Sequence, residues 1–120
     1  MPEGAANAPM QIYKVLRAPE WAQMQRDGQT AGAPVDLADG YVHLSTAEQL
    51  PVTLERHFAK AEGLVLLACA AERMGADLRW EPSRGGALFP HLYRALAMSD
   101  VLWSRPLPLQ DGRHQIGDLT

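Results

Sequence analysis

A histidine and two hydroxyl side chains lie close together at His43, Ser45 and Thr46. If residues 41–44 form a strand, alternation places His43 and Ser45 on one face and directs Val42 and Leu44 into the core. Ser45 and Thr46 each precede a Glu or Gln by three residues, a capping-box pattern that predicts a helix start. A helix start beside a histidine favours an anion or nucleotide site. The alternative is that the hydroxyls only cap the helix and His43 is a half-buried sheet residue.

A second group of polar side chains lies in the segment Phe89-Pro90-His91-Leu92-Tyr93. The residue before a proline prefers an extended backbone, so His91 and Tyr93 are predicted to share a face. A histidine beside a phenol suits general acid–base work or hydrogen bonding to a ligand. The alternative is a packed segment whose polar side-chain atoms form hydrogen bonds within the protein.

Three isolated charged residues complete the candidate site. Glu81 could bind a ribose diol or act as a base, or it could pair with Arg79 on the same strand face. Arg84 precedes two glycines in a predicted loop and could close over an anion, although a plain surface loop fits the same residues. Lys14 is the charged residue inside the first predicted strand, so it either lies at an edge or points into the site.

Composition argues against several classes of partner. The formal net charge is −3, and the 11 Lys and Arg residues are scattered, which disfavours binding to duplex nucleic acid. With a single cysteine the chain can form no intramolecular disulfide, which is typical of a reducing, cytoplasmic compartment. No apolar run approaches the ~18 residues of a membrane span, so no membrane partner is expected. The sequence indicates no particular oligomeric state.

Several chemistries lack their usual residue spacing. One cysteine and four widely spaced histidines predict no metal site. Ser45 does not lie in a G-x-S-x-G elbow, and neither a dinucleotide-binding glycine pattern nor a Walker A loop is present. Cys69 lies within an apolar run and is more typical of a core residue than of a nucleophile.

The elements that must position these side chains follow the order β-α-β-α-β-β-β-β. This order predicts an α+β fold with a mixed, largely antiparallel sheet or sheets and two early helices. Residues 30–38 are interpreted as a loop, and the second helix is expected to run from Ser45 or Thr46 to about Lys60, distorted at Pro51. Residues 1–10 are predicted to be a disordered leader, 11–110 a single globular domain and 111–120 a frayed tail.

The motifs Asp39-Gly40-Tyr41-Val42-His43-Leu44-Ser45-Thr46 and Phe89-Pro90-His91-Leu92-Tyr93 resemble those of a bacterial and plant family, domain of unknown function 952. Residues 32–37 and Trp80-Glu81 extend the resemblance, which covers roughly residues 11–109. One departure is Arg94, which follows the second motif where family members often have glycine. It puts a tight turn there in doubt and adds a charge near the site.

The resemblance implies a fold similar to that of ADP-ribosyltransferases, which hold NAD in a cleft between two small sheets. By order along the chain, Lys14, His43 and Glu81 are the positions that could match that fold's ligand-contacting residues. NAD or another nucleotide is therefore the candidate ligand, although no cofactor is certain, and fold alone does not fix function.

Three hypotheses follow from these residues. The first is an enzyme of nucleotide or NAD chemistry, with His43, Glu81 and His91 as catalytic candidates and Lys14, Ser45, Thr46, Arg84 and Tyr93 as ligand-binding candidates. The second is a non-catalytic ligand-binding or regulatory module that uses the same pocket. The third is a protein-interaction domain whose aromatic face contains Trp80, Phe89 and Trp103. The sequence alone leaves all three open.

Overall fold

Three long strands form one antiparallel sheet, as their β-branched and apolar residues predict. The computed structural model describes residues 10–119, so the predicted leader lies almost wholly outside the described residues. Strands β1 (Gln11–Arg17), β4 (Leu64–Ala70) and β8 (Val101–Leu107) pair in the order β1-β4-β8. The central β4 is an almost unbroken run of buried residues. Pro106 lies on the edge strand β8, where its missing N–H costs no ladder bond to a further strand.

A second antiparallel sheet carries the histidine motifs. Strands β3 (Val42–His43), β5 (Leu78–Ser83) and β6 (Ala87–Leu92) pair in the order β3-β6-β5. Strands β5 and β6 form a hairpin closed by a short 3₁₀ turn at Arg84–Gly86, in which Gly85 adopts φ 72°. Positive φ is a conformation that glycine tolerates, which explains the Gly-Gly pair at this turn.

Two short pairs of strands complete the sheet structure. Strand β2 (Gln29–Thr30) pairs with β7 (Leu96–Ala97), and β9 (Leu109–Gln110) pairs with β10 (Arg113–His114). All strand pairs among residues 10–119 are antiparallel, so the molecule is an α+β domain in which the predicted antiparallel character is confirmed. Further 3₁₀ turns lie at Ala71–Arg73, Gly75–Asp77 and Met98–Asp100.

Residues 10–119 contain three α-helices where the sequence predicted two. Helix α1 (Ala18–Asp27) has Pro19 in its first turn and ends at Gly28 in the left-handed conformation, as expected. The segment 30–38, interpreted as a loop, instead contains α2 (Pro34–Asp39), which also has proline in its first turn. Helix α2 has only six residues, too few for an amphipathic period to be visible in the sequence.

Helix α3 (Leu50–His57) begins later and ends earlier than predicted. The capping box exists, because the Thr46 N–H donates to Oε1 of Gln49 at 3.0 Å and the Gln49 N–H donates to Oγ1 of Thr46 at 3.2 Å. It closes a turn over residues 46–49, after which the helix starts. Pro51 therefore lies in the first turn of α3, where it removes no helical bond, and the predicted distortion is wrong.

The C-terminal segment contradicts the prediction of a frayed tail at 111–120, at least for the described residues 111–119. A β-hairpin forms there, and Nε2 of His114 lies 2.8 Å from the carbonyl oxygen of Ala61. Arg105 donates to the carbonyl oxygen of Ile116 at 2.6 Å. Ile116 and Leu119 also pack on buried residues of the first sheet. Ile116 and Leu119 are apolar residues in an otherwise polar tail, and they were the sequence signal that the tail packs against the domain.

Strand β1 separates two hydrophobic clusters. Ile12 and Leu16 belong to one cluster, and Tyr13 and Val15 belong to the other, in keeping with strand alternation. Tyr13 also pairs with Ser45: the Tyr13 N–H donates to the Ser45 carbonyl at 2.7 Å, and the Ser45 N–H donates to the Tyr13 carbonyl at 2.9 Å. We call this pair of bonds the seam, because it joins the two three-stranded sheets at one point.

In the described residues, every helix is too short or too polar to cross a bilayer.

Candidate functional site

A cleft with a volume of about 540 Å³ lies between the two three-stranded sheets. Strand β1 contributes Lys14, the segment at β3 contributes His43 and Ser45, and β6 contributes His91. The start of α2 and the end of α3 close its sides. The volume lies within the usual range for small-molecule sites, roughly 300–1,000 Å³.

His43 and His91 are direct neighbours across strands β3 and β6. The antiparallel register pairs them, and their ring centroids lie 5.4 Å apart in an edge-to-face arrangement. Val42 and Leu44 are buried, as alternation predicted, which leaves His43 on the cleft side. The two histidine motifs, almost fifty residues apart in sequence, therefore contribute to one wall.

Asp36 is the centre of a buried hydrogen-bond network, and its role was not predicted from the sequence. Its side chain is fully buried and accepts from the Ala33 N–H at 2.7 Å, the His43 N–H at 2.8 Å and the Lys14 ammonium at 2.8 Å. Its Oδ1 also lies 2.6 Å from Nδ1 of His43. Pro34 followed two residues later by an acid is a helix-start pattern, and this was the signal that could have located Asp36.

The Asp36 carboxyl is held in its charged form. Burial by itself would raise its pKa, but the hydrogen bond from His43 and the Lys14 ammonium outweigh burial and lower the pKa to about 2. An ionised carboxylate can only accept hydrogen bonds, so Nδ1 of His43 carries the proton of the shared bond. Asp36 thus sets both the orientation and the tautomer of His43.

His43 is flanked by two carboxylates of the same short helix. Its Nδ1 faces Asp36, and its Nε2 lies 2.9 Å from Oδ2 of Asp39. Both contacts are hydrogen bonds only when the ring carries a proton on each nitrogen. The His43 ring is thus held between two carboxylates of α2, and these contacts join α2 to β3.

Lys14 points into the molecule, which resolves the choice left open by the sequence. Its buried ammonium donates to Asp36 and, at 3.0 Å, to the backbone carbonyl of His43. An ammonium has three donors, two of which these bonds use, and Lys14 lines the cleft. Because Asp36 balances its charge, Lys14 offers the cleft a hydrogen bond with little net positive charge.

His91 is oriented by Glu81. Its Nδ1 lies 2.8 Å from Oε1 of Glu81, and the Tyr93 hydroxyl donates to the same oxygen at 2.7 Å. The bond from Tyr93 and then that from His91 lower the pKa of Glu81, and the same contact raises the pKa of Tyr93. A charged Glu81 can only accept, so Nδ1 of His91 carries the proton of this bond and Nε2 of the neutral ring is the nitrogen without a proton.

Among the described residues, Glu81 makes hydrogen bonds with His91 and Tyr93, whereas Arg79 acts on it through its charge, which helps to lower the pKa of Glu81. The Arg79 guanidinium lies over the Tyr93 ring, 4.6 Å from its centroid. The Glu81 carboxylate is therefore available to His91 and Tyr93, which lie on the same face of the β5–β6 strand pair.

Tyr41 packs against both histidines and was assigned no role from the sequence. Its ring centroid lies 4.2 Å from that of His91, in a stacked geometry, and 4.6 Å from that of His43. The Tyr93 ring lies 5.1 Å away. The aromatic residue preceding the histidine motif was a visible signal, but only the strand register shows what it touches.

The remaining ligand-binding candidates are placed differently. Ser45 is buried on the cleft wall, and its hydroxyl bonds that of Thr53 at 2.9 Å. Thr46 is engaged with Gln49 and does not line the cleft, so the helix-start anion site expected there is not formed. Tyr93 lines a smaller neighbouring cavity. The side chain of Arg84 lies outside the described residues.

Arg94, the departure from the family pattern, has a structural role away from the cleft. Its guanidinium makes two bonds to Asp100, at 2.8 Å and 3.0 Å, and these raise its pKa. It also approaches Asp77 at 3.4 Å. The positive charge expected at Arg94 is therefore present, and Asp100 neutralises it. The chain still bends at Arg94.

Two further expectations concern metals and thiols. Among residues 10–119, no three His, Cys, Asp or Glu side chains are arranged to hold a metal ion. Cys69 is a buried core residue, and burial raises the pKa of its thiol to about 12. A thiol in that state is a poor nucleophile, as expected for a core residue.

The fold and site define a class: small α+β domains with a histidine-lined cleft between two antiparallel sheets. The chain belongs to the family described as "Protein of unknown function (DUF952)", whose model matches residues 15–104. This confirms the family that the motifs resemble.

Solved structures of one bacterial protein are similar to this chain. The X-ray structure of protein CC0527 from Caulobacter crescentus is 49% identical, with a TM-score of 0.84 over 88% of this chain and 93% of that chain. The solution NMR structure of CC0527 has a TM-score of 0.80 over 89% and 93% of the two chains. Both are Northeast Structural Genomics targets. No curated protein matches the sequence.

Proposed function

We propose that the cleft binds a nucleotide-like small molecule, with NAD as the first candidate, and that the domain catalyses a transfer of the ADP-ribosyl type. The observation that carries the proposal is the pairing of His43 with His91 on the cleft wall, each oriented by its own carboxylate. Two histidines held in defined tautomers are more than packing requires, and such arrangements are typical of sites that move protons.

The likeness to ADP-ribosyltransferases supplies the ligand class. In that fold NAD lies between two small sheets, and the cleft here lies between two three-stranded sheets. The three positions suggested by chain order are linked by contact: Lys14 donates to the His43 carbonyl, the His43 ring faces His91, and His91 bonds Glu81. This continuity supports one ligand touching all three segments.

The charges favour hydroxyl groups over a phosphate as partners at the centre of the cleft. Lys14 is neutralised by Asp36, and Asp39 and Glu81 lie beside the histidines. A ribose hydroxyl can accept from Lys14 and donate to a neighbouring acceptor. A phosphate is better placed toward Arg17, which also lines the cleft and whose guanidinium lies 4.8 Å from the Phe58 ring centroid.

The chain's own contribution to a transfer reaction would come from His91. With its Nδ1–H donating to Glu81, the Nε2 nitrogen can accept the proton that an acceptor hydroxyl or amine loses when it bonds to the ribosyl carbon. NAD would supply that carbon and its nicotinamide leaving group. The His43 ring, held between Asp36 and Asp39, would orient the ligand beside His91.

The test is binding followed by turnover. NAD, ADP-ribose, AMP and nicotinamide are added separately to the purified protein while its melting temperature is recorded. A ligand at 100 times its dissociation constant stabilises the folded state by about 2.7 kcal/mol, a shift of several degrees. The shift should disappear in His91→Ala and persist in Arg113→Ala, a control on the C-terminal hairpin. Absence of any shift with all four compounds would overturn the proposal.

Turnover separates the enzyme from a non-catalytic module that uses the same cleft. Release of nicotinamide from NAD, followed by chromatography, identifies an enzyme, and binding without release identifies a regulatory module. The third hypothesis, a protein-interaction domain with an aromatic face, receives less support. Phe89 is buried, and Trp103 packs against Tyr13 with centroids 6.3 Å apart, so these rings do not form an exposed patch with Trp80.

A further inference from the structure

Tyr41 occupies a position that neither fold nor capping requires. It follows Gly40, which ends α2 in the left-handed conformation, and immediately precedes β3. From there its ring lies within 4.2–4.6 Å of the centroids of His91 and His43. One aromatic side chain thus contacts both imidazoles of the proposed site at the same time.

Tyr41 lines a different space from the histidines that it contacts. His43 and His91 line the 540 Å³ cleft, whereas Tyr41 lines a second cavity of about 220 Å³ together with Tyr93 and Arg94. If its ring were removed, the two imidazoles would lose the aromatic surface against which they pack.

The hydrogen bonds of the histidines do not fix their rings completely. His91 is bound through Nδ1 to Glu81, so its ring plane can tilt about that bond, and the His43 ring, bound through its two nitrogens to Asp36 and Asp39, can still tilt about the line that joins them. Stacking on an aromatic face restricts this tilt, because ring pairs prefer offset-stacked or edge-to-face geometries. The Tyr41 ring is stacked on His91 with an interplanar angle of 28° and tilted against His43 with an angle of 45°, so the three rings pack together.

The contribution comes from the ring and not from a phenolate. Burial, and then the nearby carboxylates of Asp39, Glu81 and Asp36, raise the pKa of Tyr41, so its hydroxyl stays protonated. In the described part of the chain the Tyr41 ring contacts the aromatic rings of His43, His91 and Tyr93. Phenylalanine should therefore preserve the function of this residue, and an aliphatic side chain should not.

We propose that Tyr41 is a positioning residue that holds the imidazoles of His43 and His91 in their working orientation. The proposal concerns the geometry of the two rings. Only its consequence for activity rests on the proposed function of the cleft.

The test compares Tyr41→Phe, Tyr41→Leu and wild type by NMR spectroscopy of the histidine side chains, with no ligand present. The stacked ring should displace the His91 and His43 carbon-bound ring protons by its ring current. We expect that displacement to be retained in Tyr41→Phe and lost in Tyr41→Leu. His114, on the C-terminal hairpin, serves as the internal control and should give the same signals in all three proteins.

Unchanged His43 and His91 signals in a folded Tyr41→Leu protein would overturn the proposal. If Tyr41→Leu does not fold, the wild-type protein decides by itself: nuclear Overhauser contacts between the Tyr41 ring and the His91 ring protons are expected, and their absence overturns the proposal. Neither measurement uses NAD. Failure of the ligand hypothesis and failure of this one are therefore distinguishable.

Discussion

The two carboxylate–histidine pairs of the cleft have opposite patterns of burial. In the Asp36–His43 pair the carboxylate side chain is 0% exposed and the imidazole 31% exposed. In the Glu81–His91 pair the imidazole is 4% exposed and the carboxylate 34%. A buried carboxylate must be fully hydrogen-bonded to stay ionised, and Asp36 has its required donors. An accessible carboxylate can change partners at little cost.

The difference separates a fixed element from an adjustable one. Asp36 joins β1, β3 and α2 through Lys14, His43 and Ala33, so it stabilises the cleft walls. Glu81 joins only the neighbouring β6 residue His91 and the following Tyr93. We infer that substitutions at the first pair change mainly stability, and those at the second change mainly the proton chemistry of His91.

Asp36→Asn should show the largest effect. Removing the carboxylate charge leaves the Lys14 ammonium buried without its counter-ion, which costs about 3–5 kcal/mol in the free energy of unfolding. Urea denaturation measures this loss. Asp39→Asn, at a half-exposed position on the same helix, is the matched control and should cost less than about 1 kcal/mol.

A double variant tests the cause of that loss. Combining Asp36→Asn with Lys14→Met removes both charges, and it should be more stable than Asp36→Asn alone. If the double variant is as unstable as the sum of the two single variants, the ion pair is not the source of the effect.

Gly32→Ala should be the next most damaging change. Gly32 has φ 101°, and a β-carbon there would lie 2.6 Å from Cβ of Asp36. Strain and displacement of Asp36 together should lower the free energy of unfolding by roughly 3 kcal/mol. Gly28→Ala is the control, because Gly28 has φ 82° with open space around the position. Its cost should be roughly 1 kcal/mol, and equal losses at both sites would contradict the role of Asp36.

Acid should weaken the Asp36 pair over a defined range of pH. The pKa of Asp36 is about 2 in the folded protein, below the ordinary value of 3.8. The stabilisation that comes from this lowered pKa is therefore complete above about pH 4 and is lost as the pH falls through 2. Because one pKa unit corresponds to 1.36 kcal/mol, this stabilisation amounts to roughly 2 kcal/mol. The stability difference between wild type and Asp36→Asn, measured from pH 5 to pH 2, should shrink by this amount. A constant difference would show that folding does not lower the pKa of Asp36.

Glu81→Gln should have the smallest effect on stability. The amide oxygen can still accept from His91 and Tyr93, so the cost should stay below about 1 kcal/mol. Nitrogen NMR shifts of the His91 ring should place the proton on Nδ1 in both proteins. A proton on Nε2 in the wild type would contradict the orientation given to His91 here.

The residue pattern within one segment was enough to predict those parts of the site that a single segment forms by itself. Alternation placed Val42 and Leu44 in the core and His43 toward the cleft, because a two-residue period needs no partner to be read. The apolar run at β4 predicted a fully buried strand for the same reason. The capping box at Thr46 was also real, although it closes a turn before α3.

The parts that depend on partners could not be read in this way. The pairing of His43 with His91 requires the β3–β6 register, which brings together residues far apart in the chain. Asp36 acquires its role only when β1, α2 and β3 meet around it. Tyr41 is ambiguous in sequence, since an aromatic residue before a strand serves the core as readily as a site.

The seam between Tyr13 and Ser45 has a consequence for how this cleft can vary. It connects the two sheets through main-chain bonds of 2.7 Å and 2.9 Å, which any pair of non-proline residues can make. The spacing of the walls is thus independent of side-chain identity at these positions. Evolution can exchange the side chains that line the cleft without changing the main-chain bonds that set the distance between the two sheets.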